Sequence, residues 1–355
     1  MSSASSQAFL ERIGIRLPII QAPMAGISPP AMAAAVSNAG GLGSIGVGAT
    51  NAAGARAMIK AVRELSSGPL NVNLFCHRPA QADAALEAAW IDRLQPLFKQ
   101  YGAAATAGLS EIYRSFVEDD DMLAMLLEEK PKVVSFHFGI PAPERVRALR
   151  EAGIVLLGSA TSLAEARMLA DGGVDAIVAQ GYEAGGHRGT FDVDGHDDRL
   201  GTLALTRLIA RHIDLPVIAA GGIMDGAGIN AALQLGAVAA QLGTAFVGCD
   251  ESLADAGYRA ALFSDAAHHT TMTCAISGRM ARALSNDFTR WGADVSVQDI
   301  PDYPIAYDAG KALHAAAKAA GQFGYGAQWA GQGAPLARAL PVAELMKALV
   351  EEMNG

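Results

Sequence analysis

Eight short apolar runs of strand length, at 18–23, 41–45, 70–75, 133–138, 154–157, 176–179, 216–220 and 237–242, constrain this chain most. Most are apolar at nearly every position, as strands buried on both faces of a parallel sheet are. The intervening segments, such as 143–153 and 162–173, carry helical periodicity. Strand–helix alternation is the mark of an α/β fold, and eight units predict a closed (β/α)8 TIM barrel. An open doubly wound sheet is the structural alternative. Helix punctuation agrees. Ser28-Pro29-Pro30 is expected to cap and open one helix, and Gly40-Gly41 to close it. Ser162 with Glu165 three residues on reads as a capping box, and Gly172-Gly173 ends that helix.

Two connections, 76–132 and 181–215, are too long for a plain crossover, and such loops tend to carry function. Beyond Thr244 the pattern changes to helical stretches at 252–263 and 304–319 and a glycine-rich GQFGYGAQWAGQG. The expected division is a barrel at 1–245, a mainly helical region at 246–335 covering the active site, and a last helix within 336–355 returning to the barrel.

The chain has 355 residues, 51% hydrophobic and only 18% charged. Average globular chains carry about 25% charged residues, so a large core is expected and disorder is excluded. Twenty-seven basic against 36 acidic residues give a net charge of −9, which argues against a nucleic-acid surface. The N-terminal stretch lacks the basic region and apolar run of a secretory signal, and no apolar stretch approaches the ~18 residues of a membrane span. Cys76, Cys249 and Cys274 are odd in number, far apart and without a CxxC pair, which disfavours disulfides and zinc alike. A cytoplasmic protein with no membrane partner is the expectation.

In a barrel, reactive groups gather at the C-terminal ends of the strands, and phosphate commonly sits at the loops after the seventh and eighth. Those ends read Ala219-Ala220-Gly221-Gly222-Ile223 and Gln241-Leu242-Gly243-Thr244. Glycines there let backbone N–H groups approach an anion, although tight turns alone would also use them. Gly46-Val47-Gly48 is only the front of a dinucleotide fingerprint, because Asn51 stands where its third glycine would be. The acidic loop 192–198 resembles the opening of a calcium loop, but its twelfth position is Leu203 and its glycine is misplaced, so no metal is expected.

The strand-end segments QAPMAG (21–26), NVNLF (71–75), QGYEAGGHRG (180–189), AAGGIMDG (219–226) and QLGTAF (241–246) form a specific set. From about Leu17 to Gln332 the chain resembles the FMN-dependent nitronate monooxygenases, formerly called 2-nitropropane dioxygenases. The resemblance implies FMN as cofactor, with the backbone around Met24 beside the isoalloxazine and Asn73 and Gln180 on its polar edge. It assigns the phosphate to Gly185, Gly222, Gln241, Gly243 and Thr244, and the catalytic role to His187. Carboxamides do supply the donor and acceptor that a flavin edge needs. His187 follows small residues on the loop after the sixth strand, so its ring is expected at the barrel mouth, where imidazole exchanges protons near neutral pH. His77 and His137 also end strands; His212, His268, His269 and His314 read as surface or packing residues.

Tyr303, Tyr307 and Lys311 recur every four residues, which places them on one helix face. Two phenols and an ammonium suit an anionic substrate, whereas the plain alternative is a half-buried helix with a snorkelling lysine. The resemblance extends to a nitronate-oxidising subgroup whose pocket has equivalents of these three and of Tyr113, His137 and Tyr258. It also covers ISGRMARAL (276–284), where Arg279 and Arg282 read as structural or phosphate-proximal. The implied reaction is O2-dependent oxidation of alkyl nitronates, propionate 3-nitronate among them, to carbonyl compounds with release of nitrite or nitrate. An NADH:quinone or enoyl-thioester reductase, a flavin-free lyase and a non-catalytic flavin-binding protein are the alternatives.

Overall fold

A computed structural model describes residues 3–355. The eight runs form strands β1 (Ile19–Gln21), β2 (Gly43–Gly46), β3 (Leu70–Phe75) and β4 (Val133–His137), then β5 (Val155–Ala160), β6 (Ala176–Gln180), β7 (Val217–Ala220) and β8 (Ala239–Leu242). From β2 to β8 each pairs in parallel with the next, and β8 pairs with β1. A parallel bridge between Ile20 and Leu42 joins β1 to the approach of β2 and closes the ring. Gln21 N–H donates to Leu42 O and Leu42 N–H to Ile19 O, both at 3.0 Å. The closed TIM barrel therefore replaces the open-sheet alternative.

Side-chain alternation along the strands decides what each layer does. Val72, Val134, Phe136, Leu156, Ile177 and Val217 pack outward under the helices. The opposite set, including Val155, Leu157, Val178 and Ile218, meets Phe9, Leu10 and Ile13 of the helix Ser3–Ile13. That helix, which the sequence reading did not anticipate, joins its apolar residues to the lower barrel core. Toward the C-terminal ends of six strands an inward residue turns polar or small: Asn73, Ser135, Ser159, Gln180, Ala220 and Gln241 all face one cavity.

Helix punctuation holds with two corrections. Gly40 ends Pro30–Ala39 with φ 99°, as glycine permits. Ser28, however, is not its cap: Pro29 holds that position, and Ser28 Oγ instead accepts from Met24 N–H (3.0 Å) and donates to Met24 O (3.1 Å). Ser162 does cap Leu163–Asp171. Glu165 does not return to the Ser162 amide; its carboxylate accepts from Thr161 N–H (2.6 Å), Thr161 Oγ1 (2.7 Å) and Phe191 N–H (2.8 Å), fastening the loop after β6.

The 76–132 connection holds the helices Ala84–Gln100 and Asp120–Glu129. Trp90, Leu94 and Phe98 of the first pack against Leu313 and Ala317 of the helix Ile305–Ala319. A small antiparallel sheet stands beside them, with Ala281–Leu284 between Thr270–Thr273 and Gly186–His187. The helix expected at 252–263 is confined to Ala256–Leu262, because the Asp255 side chain caps it by accepting from Tyr258 N–H. In the last helix, Val342–Asn354, Leu345, Met346 and Leu349 join Met32, Val36 and Ile229 of two barrel helices. Among the described residues no helix is long and apolar enough to cross a membrane.

Candidate active site

The cavity opens at the C-terminal ends of the barrel strands. Asn73, Gln180 and Gln241 reach it from β3, β6 and β8, Met24 from the loop after β1, and Gly185, Gly222, Gly243 and Thr244 from the loops after β6, β7 and β8. Tyr113, His137, His187, Tyr258, Tyr303 and Tyr307 also line its wall, with Phe75 and Trp329. Of the residues that the sequence analysis assigns to catalysis, cofactor or substrate, Lys311 alone lies off the lining.

The glycine turns suit an anion. Gly221 and Gly222 have φ of 125° and 70°, where other residues are strained. The amide N–H groups of Gly222, Gly243 and Thr244 donate to no acceptor among the described residues. Thr244 Oγ1 accepts from Gly331 N–H at 3.0 Å, which ties the glycine-rich segment over this end of the cavity. Arg282 is elsewhere engaged, donating to Tyr182 O (2.9 Å) and Thr270 Oγ1 (3.2 Å) while stacking on the Tyr182 ring. The acidic loop is engaged too, since Asp197 accepts twice from the buried Arg188 guanidinium at 2.8 Å.

The carboxamides are partly committed. Gln180 Nε2 donates to His187 O at 3.0 Å and its Oε1 accepts from Gly189 N–H at 2.7 Å. Asn73 Nδ2 donates to Ser135 Oγ at 3.0 Å, and no donor among the described residues meets its Oδ1. Met24 N–H donates to Ser28 Oγ, and its carbonyl accepts from Ile27 N–H and Ser28 N–H, so its backbone is saturated. Its side chain and flanking residues are what face the cavity.

His187 departs from expectation in two ways. It lies on the edge strand Gly186–His187, not in a free loop, and its ring is half-buried among Phe138, Tyr303 and Trp329, with centroids 5.8, 5.1 and 5.1 Å away. Burial, then the positive field of Arg279, hold its imidazole well below the ordinary histidine pKa. At neutral pH it is therefore an uncharged ring. Its carbonyl is gripped by Gln180 Nε2 and by His137 Nε2 at 3.2 Å, and its own Nε2 meets Ser277 Oγ at 2.9 Å. His137 is likewise pushed down to about 4, chiefly by burial.

The tyrosine–lysine stripe also needs correction. The helix starts at Ile305 behind Pro304, so Tyr303 precedes it and reaches the cavity from the turn before the helix, while Tyr307 alone lines it from the helix. The exposed Lys311 places its ammonium over the Tyr113 and Tyr307 rings at 4.8 and 5.4 Å. Tyr258 spends its hydroxyl on Trp329 O. Tyr303 Oη is buried with no partner among the described residues.

Sequence reasoning missed Phe138, Ser277 and Trp329. Phe138 has φ 75°, unusual for an aromatic residue, and its ring carries the Arg279 guanidinium 4.1 Å from its centre. Arg279 itself donates to Thr190 O and is paired with no carboxylate among the described residues. Ser277 lay inside a matched segment, but a serine at a hairpin turn carries no local signal of meeting a histidine 90 positions away.

A closed α/β barrel with a mixed polar and aromatic cavity at its strand C-termini defines a barrel enzyme acting on a small molecule. The sequence model of the nitronate monooxygenase family matches residues 6–352, and the chain belongs to that family. It is 63% identical to the nitronate monooxygenase of Paraburkholderia phytofirmans, covering 98% of this chain and 95% of that one. Its identity to the enzyme of the same name from Pseudomonas aeruginosa is 56%, over 98% and 99%. Among solved structures it is similar to the nitroalkane oxidase of Streptomyces ansochromogenes, with TM-score 0.89 and 40% identity over 97% of this chain and 98% of that one. FabK from Thermotoga maritima is more distant, with TM-score 0.74 and 30% identity over 98% and 96%.

Proposed function

We propose that this enzyme binds FMN in the barrel mouth and uses O2 to oxidise anionic alkyl nitronates, propionate 3-nitronate among them, to carbonyl compounds with release of nitrite or nitrate. The observation that carries the reading is the uncommitted amide trio of Gly222, Gly243 and Thr244 in the same cavity as His187. Such amides suit a phosphate, and Gly185 adds close approach of backbone. Asn73 Oδ1 and the second amide hydrogen of Gln180 remain to meet the polar edge of an isoalloxazine, with Gln241 and the Met24 segment completing the bed. When bound, FMN would supply the one-electron chemistry that no side chain of this cavity offers.

The protein's own residues then divide the remaining work. Lys311 and the phenols of Tyr113, Tyr303 and Tyr307 favour an anion and keep water from it. Tyr258 and His137 hold the wall in place through their backbone bonds. A neutral His187 accepts the proton of a neutral nitroalkane, and the nitronate formed beside it offsets the burial penalty that otherwise keeps the ring uncharged. With preformed nitronate it needs to accept nothing and acts as a contact. Both 56–63% identical relatives bear the nitronate monooxygenase name, which supports this reaction over reductase chemistry.

Denaturing the purified protein tests the cofactor. FMN is the expected released flavin; recovery of FAD, or of no flavin, contradicts the proposal.

A further inference from the structure

His187 lies on the edge strand of the small antiparallel sheet and Ser277 in the hairpin turn that joins its other two strands, and the two meet through one short contact. His187 Nε2 lies 2.9 Å from Ser277 Oγ, and Ser277 Oγ lies 3.2 Å from Arg279 O, to which only a hydroxyl proton can bond. If Ser277 gives its proton to Arg279 O, His187 donates Nε2–H to Ser277 and both contacts are hydrogen bonds. If Ser277 instead donates to His187, the carbonyl contact has no proton, and a protonated Nδ1 has no acceptor among the described residues. The first arrangement makes one more bond than the second.

Ser277 is also held so that it cannot follow the ring. It is fully buried, and its N–H and that of Gly278 both donate to Cys274 O, at 3.2 and 2.8 Å. Gly278 has φ 86°, and a Cβ there would lie 2.5 Å from Pro301 O and 2.8 Å from Tyr303 N. The turn is thus packed against the segment that delivers Tyr303.

We propose that Ser277 is a positioning residue: it fixes His187 with its proton on Nε2, so that the Nδ1 lone pair is the atom that takes the substrate proton. This rests on the reading of His187 as the proton acceptor. Burial and the Arg279 field agree with it, since a tautomer matters only while the ring is neutral.

The test is imidazole 15N NMR of the FMN-loaded enzyme, with His187→Asn used to assign the signal. The expected result is Nε2-protonated His187 in the native protein and a mixed tautomer population in Ser277→Ala. In that variant kcat/KM for a neutral nitroalkane should fall about threefold to tenfold, the scale of one lost hydrogen bond, and fall less for preformed nitronate. Ser277→Thr, which keeps the hydroxyl, should restore the native tautomer. A native proton on Nδ1, or an unchanged tautomer in Ser277→Ala, overturns the proposal. If His187→Asn still turns over neutral nitroalkane at the native rate, it is the proton-acceptor reading that fails, whatever the tautomer.

Discussion

The ammonium of Lys311 rests 4.8 Å from the centre of the Tyr113 ring and forms no salt bridge among the described residues. Its partial desolvation lowers its pKa, with Asp308 opposing. A cation held on two phenol faces without a carboxylate is available to an incoming anion. Lys311→Met should therefore raise KM for a nitronate several-fold, the ~1 kcal/mol scale of a partly exposed charge contact, and change KM for a neutral nitroalkane less. FMN content should not change. Steady-state kinetics with both substrate forms checks this, and identical nitronate KM values would assign Lys311 to the solvent face alone.

His187→Asn removes the proposed proton acceptor but keeps a polar group on the same strand. Turnover of neutral nitroalkane should fall about 10²- to 10⁴-fold, the usual contribution of general-base catalysis, while preformed nitronate loses much less. The comparison is made at equal flavin occupancy. Equal losses for both substrates would make His187 an anion contact instead.

The histidines also set how stability follows pH. His77 and His137 are both pushed down to about 4, first by burial, with Arg279 adding to each, and His187 is lowered in the same way. Their unfolded pKa is about 6.5, so below it the unfolded chain binds protons that the folded chain refuses. Stability should be flat in these groups above about pH 6.5 and fall as pH drops toward about 4. His77, whose two ring nitrogens are buried with no hydrogen-bond partner among the described residues, gives the cleanest control. Urea midpoints across this window should drop less for His77→Leu than for the native protein.

The barrel was legible because its signal is repetitive: eight apolar runs with helices between, each closed by small residues. Of the polar inward positions at the strand ends, Asn73, Gln180 and Gln241 were legible in their segments, whereas Ser135 and Ser159 emerge only once alternation along a known strand shows why all five converge. What could not be read depends on long-range meetings. The contact of Ser277 with His187 requires the register of a sheet whose strands lie far apart in sequence. Tyr303 looked helical by spacing, but Pro304 moves the helix start past it. The depressed pKa of His187 comes from an enclosure built by Phe138, Tyr303 and Trp329, which no local pattern reports.

Two glycine substitutions separate a clash with backbone from space for phosphate. A Cβ on Gly243 would meet Ala22 Cβ at 3.4 Å and Met24 Sδ at 3.8 Å, ordinary contacts that the protein itself tolerates. On Gly185 it would fall 2.5 Å from Gly331 N, against backbone. Gly243→Ala should thus fold normally and weaken FMN retention, whereas Gly185→Ala should lose thermal stability as well. Melting temperature and released flavin, measured together, distinguish the two.

The central claim is that a nitronate, with oxygen and without nicotinamide, is what this cavity turns over. Oxygen uptake by the purified FMN-loaded enzyme, with propionate 3-nitronate in one cell and NADH plus a quinone in the other, tests it most directly. Rapid uptake with nitrite or nitrate release in the first, and slow NADH loss in the second, is the predicted result. Steady NADH oxidation by the quinone, with an inert nitronate, would contradict it.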